Sequence, residues 1–259
     1  MQLPKFATVR VTILLIVLLC LGFVSLTQLM HTRNWNQTLQ VTVFPLNADG
    51  HLSTADYINT LSDDTFSIID QWAMREAKRY DLDLQQPFEV KLGEQISVHP
   101  PAWPENDNPI AVLFWGVRFR WWAYRNTPDD GGGLTRIRMF VMYHSGEGDQ
   151  PLSHSLGLQK GLLGLVHAYS LHAQTQQNNV VIAHEMLHTV GAIDKYTGYG
   201  SPIYPVGYAN PIREPLFPQR YAEIMAGRIP TSYGSSYMAK SLRSAQVNQY
   251  TANEINWLE

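Results

Sequence analysis

From Val11 to Met30 the chain reads VTILLIVLLCLGFVSLTQLM, an uncharged run long enough to cross a bilayer as a helix. Inside a bilayer the backbone groups of such a run must satisfy one another, which leaves a helix as the available form. Residues 11–30 are therefore expected to be a transmembrane signal anchor, preceded by residues 1–10 and followed by one domain over 31–259. Lys5 and Arg10 precede the run and favour a cytoplasmic N-terminus, although Arg33 just beyond it weakens the bias. A cleaved signal peptide is the rival reading, but Ser25, Thr27 and Gln28 make no small-x-small site. A lipoprotein site at Cys20 is poorly served, because Leu19 stands where a small residue is wanted. On either reading the domain lies outside the cytoplasm. The simple layout points to a bacterial inner membrane with the domain facing the periplasm.

Cys20 is the only cysteine, so the chain forms no internal disulfide and no thiolate metal site. Any metal must be held by His, Asp or Glu. Net charge is -3 with no run of Lys and Arg, which argues against a nucleic-acid partner. Oligomeric state is not legible. Hydrophobic residues at 45% and charged residues at 16% suit a packed core. Trp103, Trp115, Trp121 and Trp122 are expected to pack together in it, with ligand stacking the lesser alternative.

The pattern after the anchor is mixed, an α/β (α+β) class with strands and helices first and irregular chain last. Gln40–Phe44 reads as a strand ended by Pro45 and the turn Asn47-Ala48-Asp49-Gly50. Ser62-Asp63-Asp64 opens a helix to about Tyr80. Strands are expected within Phe88–Val98, over Thr135–Tyr143 and within Gly161–Ser170. Loops are expected over Pro100–Pro109 and Asp129–Gly133, and a helix over Ile110–Arg125 whose Arg118, Arg120 and Arg125 are ion-paired or solvated. Asn178-Asn179 is expected to cap a helix over Val180–Val190. Beyond Gly191, Gly, Pro and Tyr dominate to about Pro230, and a helix is expected somewhere between Tyr237 and Trp257.

The chemistry is concentrated in the helix over Val180–Val190, which contains His184-Glu185-Met186-Leu187-His188. Residues four apart share a helix face, so His184 and His188 can present two imidazoles to one metal ion. Glu185 is placed to take a proton from a water activated there and to hand it to a leaving amine. The plainer alternative is a surface helix with two histidines. The stretch continues to Gly191 and Asp194, however. Glycine suits a helix end where the chain must turn back sharply with positive φ.

H-E-x-x-H-x-x-G-x-x-D, from His184 to Asp194, resembles the signature of the metzincin clan of zinc peptidases, in its aspartate, snapalysin-type form. The resemblance implies Zn2+ held by His184, His188 and Asp194, with Glu185 as general base and then acid, and a peptide or protein as substrate. It implies a mixed twisted sheet, an active-site helix and an irregular C-terminal subdomain. It also implies a methionine turn beneath the metal, matched by Glu223-Ile224-Met225-Ala226-Gly227, with Met225 in a supporting role. The strand before the motif helix, within Gly161–Ser170, is implied to line the cleft and pair with substrate.

The clan's tyrosine after the turn methionine is absent, since Gly227 stands there. Tyr196, Tyr199, Tyr204, Tyr208 and Tyr221 remain as sources of a phenol. Glu223 or Glu214 as a distant third ligand is the rival to Asp194, but it leaves Gly191 without a purpose. His144, His154, His167 and His172 are expected to be structural or exposed, with a second structural zinc left open. The non-enzymatic alternative is a membrane-anchored binding or assembly module with a structural metal.

Overall fold

The computed structural model describes residues 6–104, 108–128, 135–146, 155–159 and 161–258. A long helix, α1 (Phe6–Arg33), comes first. It is followed by β1 (Leu39–Asn47), α2 (Leu52–Asn59), α3 (Asp63–Lys78), β2 (Phe88–Leu92), α4 (Pro109–Asn126), β3 (Ile137–His144), β4 (Leu156–Leu158), β5 (Leu163–Tyr169) and α5 (Thr175–Thr189). After an irregular stretch come β6 (Ala222–Glu223), β7 (Arg228–Ser232), β8 (Ser235–Met238), β9 (Ala245–Gln246) and α6 (Gln249–Glu254).

Five strands form one mixed twisted sheet in the order β2-β1-β3-β5-β4, parallel throughout except for the antiparallel edge strand β4. Alternate residues serve opposite faces, as strand geometry requires. Val41, Val43, Ile137, Met139, Val141 and Val166 pack under α3 and α5. Phe44, Leu46, Phe140 and Leu165 pack under α4. The face expected for Ile137, Met139 and Val141 is therefore the one against the motif helix. On α4, Trp115, Phe119 and Trp122 stack in series, with ring centroids 5.0 and 5.7 Å apart, and Trp122 meets Phe140 edge-on at 4.8 Å. Trp103 packs against Trp115 at 4.7 Å. Trp121 departs from the expected cluster and points outward.

α1 is long and apolar enough to cross a membrane. Its 28 residues correspond to about 42 Å of helix, against a hydrocarbon core of about 30 Å. Its last turn is fixed to the domain. Thr32 is buried, and the indole of the adjoining Trp35 donates to the Ile255 carbonyl at 2.6 Å and sits edge-on to Phe88 and Trp257.

Several expected boundaries move. β1 runs through Pro45 rather than ending there. Its pairing with β2 stops at Val43, so the N–H that Pro45 lacks falls where no ladder partner stands. β2 takes up Phe88–Leu92, within the stretch expected to hold a strand; Gly93 and Ile96 still donate to β1 carbonyls at 2.8 and 3.0 Å, but the ladder is no longer regular. Pro109 belongs to α4, not to the loop before it, and occupies the first turn behind the Asn108 cap. α5 starts at Thr175, so Asn178 and Asn179 are not its cap. Asn178 instead bonds both the N–H and the C=O of Tyr169, at 3.3 and 2.8 Å, and Asn179 donates to the Thr65 carbonyl at 2.7 Å. Tertiary partners have claimed side chains that local chemistry would have used for capping. Between Tyr237 and Trp257 the helix is confined to Gln249–Glu254, capped by Asn248, while Ser235–Met238 pairs with β7 as a hairpin. The loop expected at Asp129–Gly133 lies outside the described residues.

Candidate metal centre

α5 is buried along Ile182, Ala183, Met186 and Leu187, which seat it against the sheet. His184 and His188 lie one helical turn apart on the side facing the cleft. His184 Nε2 and His188 Nε2 stand 3.1 Å apart, and Asp194 Oδ1 is 3.1 Å from each. The three atoms form a near-equilateral triangle. Ligands at 2.0–2.1 Å around a tetrahedral ion stand about 3.4 Å apart, so these donors are spaced for a common ion.

Proton placement strengthens the fit. His184 Nδ1 faces the Ile224 carbonyl at 3.0 Å and His188 Nδ1 faces the Ala192 carbonyl at 2.8 Å. A carbonyl only accepts, so in the neutral rings Nδ1 is the donor and Nε2 presents a lone pair. Two such lone pairs and a carboxylate oxygen repel one another unless positive charge sits among them. Electrostatics agree. Burial opposes charging of His184, but Asp194, Glu185 and the Ile224 carbonyl outweigh it and raise its pKa to about 9. Burial also pushes Asp194 up, and the Nε2 atoms of His184 and His188, when they carry protons, reverse this and leave it well below the carboxylate range. The pocket favours a cation at this point.

Glu185 lies beside the pair, and His184, Glu185 and His188 form a group that can hold a metal ion. Burial raises the Glu185 carboxyl above its ordinary pKa, against the lowering influence of His184 and His188. Its Oε2 is buried without a hydrogen-bond partner. An orphaned buried acceptor beside a cation-seeking triangle is suited to receive a proton from a small molecule held there.

The turn after α5 brings Asp194 into place. Gly191 has φ +109°, and the amides of Val190 and Ala192 both donate to the Leu187 carbonyl at 3.1 Å. A Cβ on Gly191 would meet Arg33 Nη2 at 2.6 Å. Lys195 fixes the other side of Asp194. It is buried, its ammonium donates to Glu254 at 2.6 Å, and its amide donates to the Met225 carbonyl at 3.0 Å.

Glu223–Gly227 forms a tight turn beneath the pair. The Ala226 and Gly227 amides donate to the Glu223 carbonyl at 3.0 and 2.8 Å, and Gly227 has φ +66°. Met225 is fully buried. The Glu223 carboxylate is occupied within this turn, accepting from Thr251 at 2.6 Å and from the Ala226 amide at 3.0 Å. Glu214 is exposed. Asp194, and neither rival glutamate, makes the contacts with both imidazoles.

Among the tyrosines left open by the sequence, Tyr196 lines the cleft and lies 6.2 Å from His184, ring to ring. Burial and the neighbouring Asp194 push its pKa up to about 12, which keeps the phenol a donor. Tyr199 is exposed, and Tyr204 and Tyr208 pack on each other at 5.3 Å. Of the other histidines, His144 Nε2 and His167 Nδ1 meet at 3.0 Å, and His172 packs against Tyr57. Burial and the His144 neighbour lower His167 to about 4. No third metal-binding side chain joins this pair among the described residues. His154 lies outside them.

Sequence reading placed the substrate-side strand within Gly161–Ser170. That strand, β5, is interior, and among the described residues the edge of the sheet on this side belongs to β4. β4 is three residues long and carries no alternation strong enough to be read from sequence. Its Gly157 amide acts on the Glu185 carboxyl, lowering its pKa against the effect of burial. A Cβ at Gly157 would collide with the Glu185 carbonyl oxygen and with His188 Cβ, so only glycine lets the strand lie this close to α5. Also unread in the sequence were the orienting carbonyls of Ile224 and Ala192, since any residue type supplies a carbonyl. The cleft above the site has a volume of about 530 Å3 and is lined by residues of β5, α5, the Met225 turn and β8.

No protein-family model matches the chain, and no curated protein matches it either.

Proposed function

We propose that the chain is a zinc-dependent, metzincin-like peptidase held at the outer face of a membrane by α1. The supporting observation is the triangle of His184 Nε2, His188 Nε2 and Asp194 Oδ1, with edges of 3.1 Å, beside a buried carboxylate with one unpartnered oxygen. His184, His188 and Asp194 would hold the ion. Bound there, zinc supplies a Lewis acid that acidifies water and polarises a carbonyl.

The chain's own residues divide the remaining work. Glu185 accepts the proton of the attacking water and passes it to the leaving amine, a role matched to its raised pKa. The Tyr196 hydroxyl donates to the oxygen that gains negative charge. An extended peptide lies along the open edge of β4, where strand addition supplies backbone hydrogen bonds. A hydrophobic cleft wall from Val180, Val181 and Ile224 receives a side chain of that peptide.

Two measurements on the full chain in detergent test the reading. Glu185→Gln should retain zinc and lose hydrolysis of a broad peptide library. Zinc held equally by parent and variant, with no hydrolysis by either, would move the protein to the class of non-catalytic metal-holding modules.

A further inference from the structure

α4 carries two apolar faces set back to back. The inner face fills the core beneath the sheet with Trp115, Phe119, Trp122 and Ala123. The outer face is a row of Ile110, Leu113, Phe114, Val117, Trp121 and Tyr124, each 60–72% exposed. At the helical repeat these six fall within about 100° of the circumference, directly opposite the inner face. A helix that is apolar all round belongs where both sides meet apolar surroundings. Protein covers only one side here, and a contiguous row of six large apolar side chains exceeds the scatter normal on a water-facing surface.

The place of α4 says what meets the other side. Leu21, Val24 and Gln28 of α1 line the same groove as Ala123 and Tyr124 of α4. These α1 residues belong to the second half of the uncharged run, towards the end nearest the domain. α1 is also fixed to the domain through Thr32 and Trp35, so α4 stands beside the span rather than swinging free of it. The charges fit a helix lying in the membrane surface and not crossing it. Arg118, Arg120 and Arg125 interrupt the run, and Arg125 lies 5.9 Å over the Trp121 ring. Arginine stems can lie along apolar surface while their heads reach the phosphates, and Trp and Tyr favour the same zone.

We propose that α4 is a second membrane-contact element, lying flat in the leaflet next to the domain with its outer row among the acyl chains. The domain is then clamped to the bilayer at two places, α1 and α4, with α5 and its metal site on the sheet face turned away from α4. This inference rests on reading α1 as a membrane span.

The test uses the full chain with Cys20→Ser, reconstituted into phosphatidylcholine–phosphatidylglycerol vesicles with or without lipids carrying nitroxide on the acyl chains. An environment-sensitive fluorophore is placed at Leu18→Cys in α1, at Val117→Cys in α4, or at the fully exposed Tyr199→Cys. Leu113→Cys, one turn before Val117, is the second α4 position should the first variant not fold. Expected is nitroxide quenching at Leu18 and Val117 alike, and none at Tyr199. Quenching at Leu18 with Val117 as unquenched as Tyr199 would overturn the inference and leave the span standing. So would a Val117 probe that is shielded from water yet unquenched, the result for a row covered by a second copy of the chain. Absence of quenching at Leu18 would remove the span and this inference together. None of these readouts involves the metal.

Discussion

Gly157 packs directly against Glu185 and His188, joining the edge strand of the sheet to the motif helix that carries the proposed general base. The contact depends on the missing side chain, because a Cβ there would strike the Glu185 carbonyl oxygen and His188. It couples the strand proposed to receive substrate to the residue proposed to move the proton.

Gly157→Ala should therefore push β4 off α5. Overpacking of this kind costs about 1–3 kcal/mol of stability. Peptide hydrolysis should fall by more than the loss of folded protein explains, with KM rising as the strand edge moves. Thermal melts and steady-state kinetics on the same preparation check this.

Tyr196→Phe removes a phenol that lines the cleft with its ring 6.2 Å from that of His184. Losing a single donor to a developing oxyanion lowers kcat by on the order of 100-fold. Metal content and KM should change little. A large fall in metal content instead would assign Tyr196 to holding Asp194 in place.

Gly191→Ala tests the bend that returns Asp194 to the histidines. With φ at +109° the variant is strained in its backbone, and Arg33 Nη2, 2.6 Å from the new methyl, must move aside. Left-handed backbone alone costs a non-glycine residue about 1–2 kcal/mol. Metal affinity, read by chelator competition, should weaken, and the helix-end strain should appear as a lower Tm.

Away from the site, Asp70 gives a pH signature. Its carboxyl accepts from the Val90 amide at 3.0 Å, yet burial, aided by Glu89 and Asp63, pushes its pKa from 3.8 up to about 6. The folded state thus holds this proton more tightly than the unfolded chain. The contribution of Asp70 to stability is greatest below pH 4 and is lost as pH rises to about 6. Asp70→Asn keeps an acceptor for Val90 and removes the charge. Its Tm advantage over the parent should be absent near pH 4, grow towards pH 6 and be constant above. A parent that gains stability relative to the variant over that window would contradict the assignment.

The legible parts of this protein were those written in local periodicity. The uncharged run became α1, the Ser62-Asp63-Asp64 start became α3, and the alternation of Ile137, Met139 and Val141 became a buried strand against the motif helix. The spacing of His184, His188, Gly191 and Asp194 carried the site, because helical repeat and a glycine bend are properties of neighbouring residues. What stayed hidden depends on contacts between distant segments. Asn178 and Asn179 looked like caps and became clamps to Tyr169 and Thr65. Pro45 looked like a strand end, and only the early departure of β2 lets β1 continue through it. β4 was unreadable because its placement rests on Gly157 fitting against α5, a fact about shape rather than pattern. Trp121, expected in the tryptophan cluster, lies in the outer row of α4, because the sheet covers only the opposite side of the helix.

The convergence of His184, His188 and Asp194 on one cation is tested most directly by zinc content together with X-ray absorption at the zinc edge. The full chain should carry one zinc per molecule, with two imidazole nitrogens and carboxylate oxygen at about 2.0–2.1 Å. Asp194→Ala should lose most of that zinc while Glu223→Gln keeps it. A purified chain without zinc affinity, or zinc retained in Asp194→Ala and lost in Glu223→Gln, would contradict it.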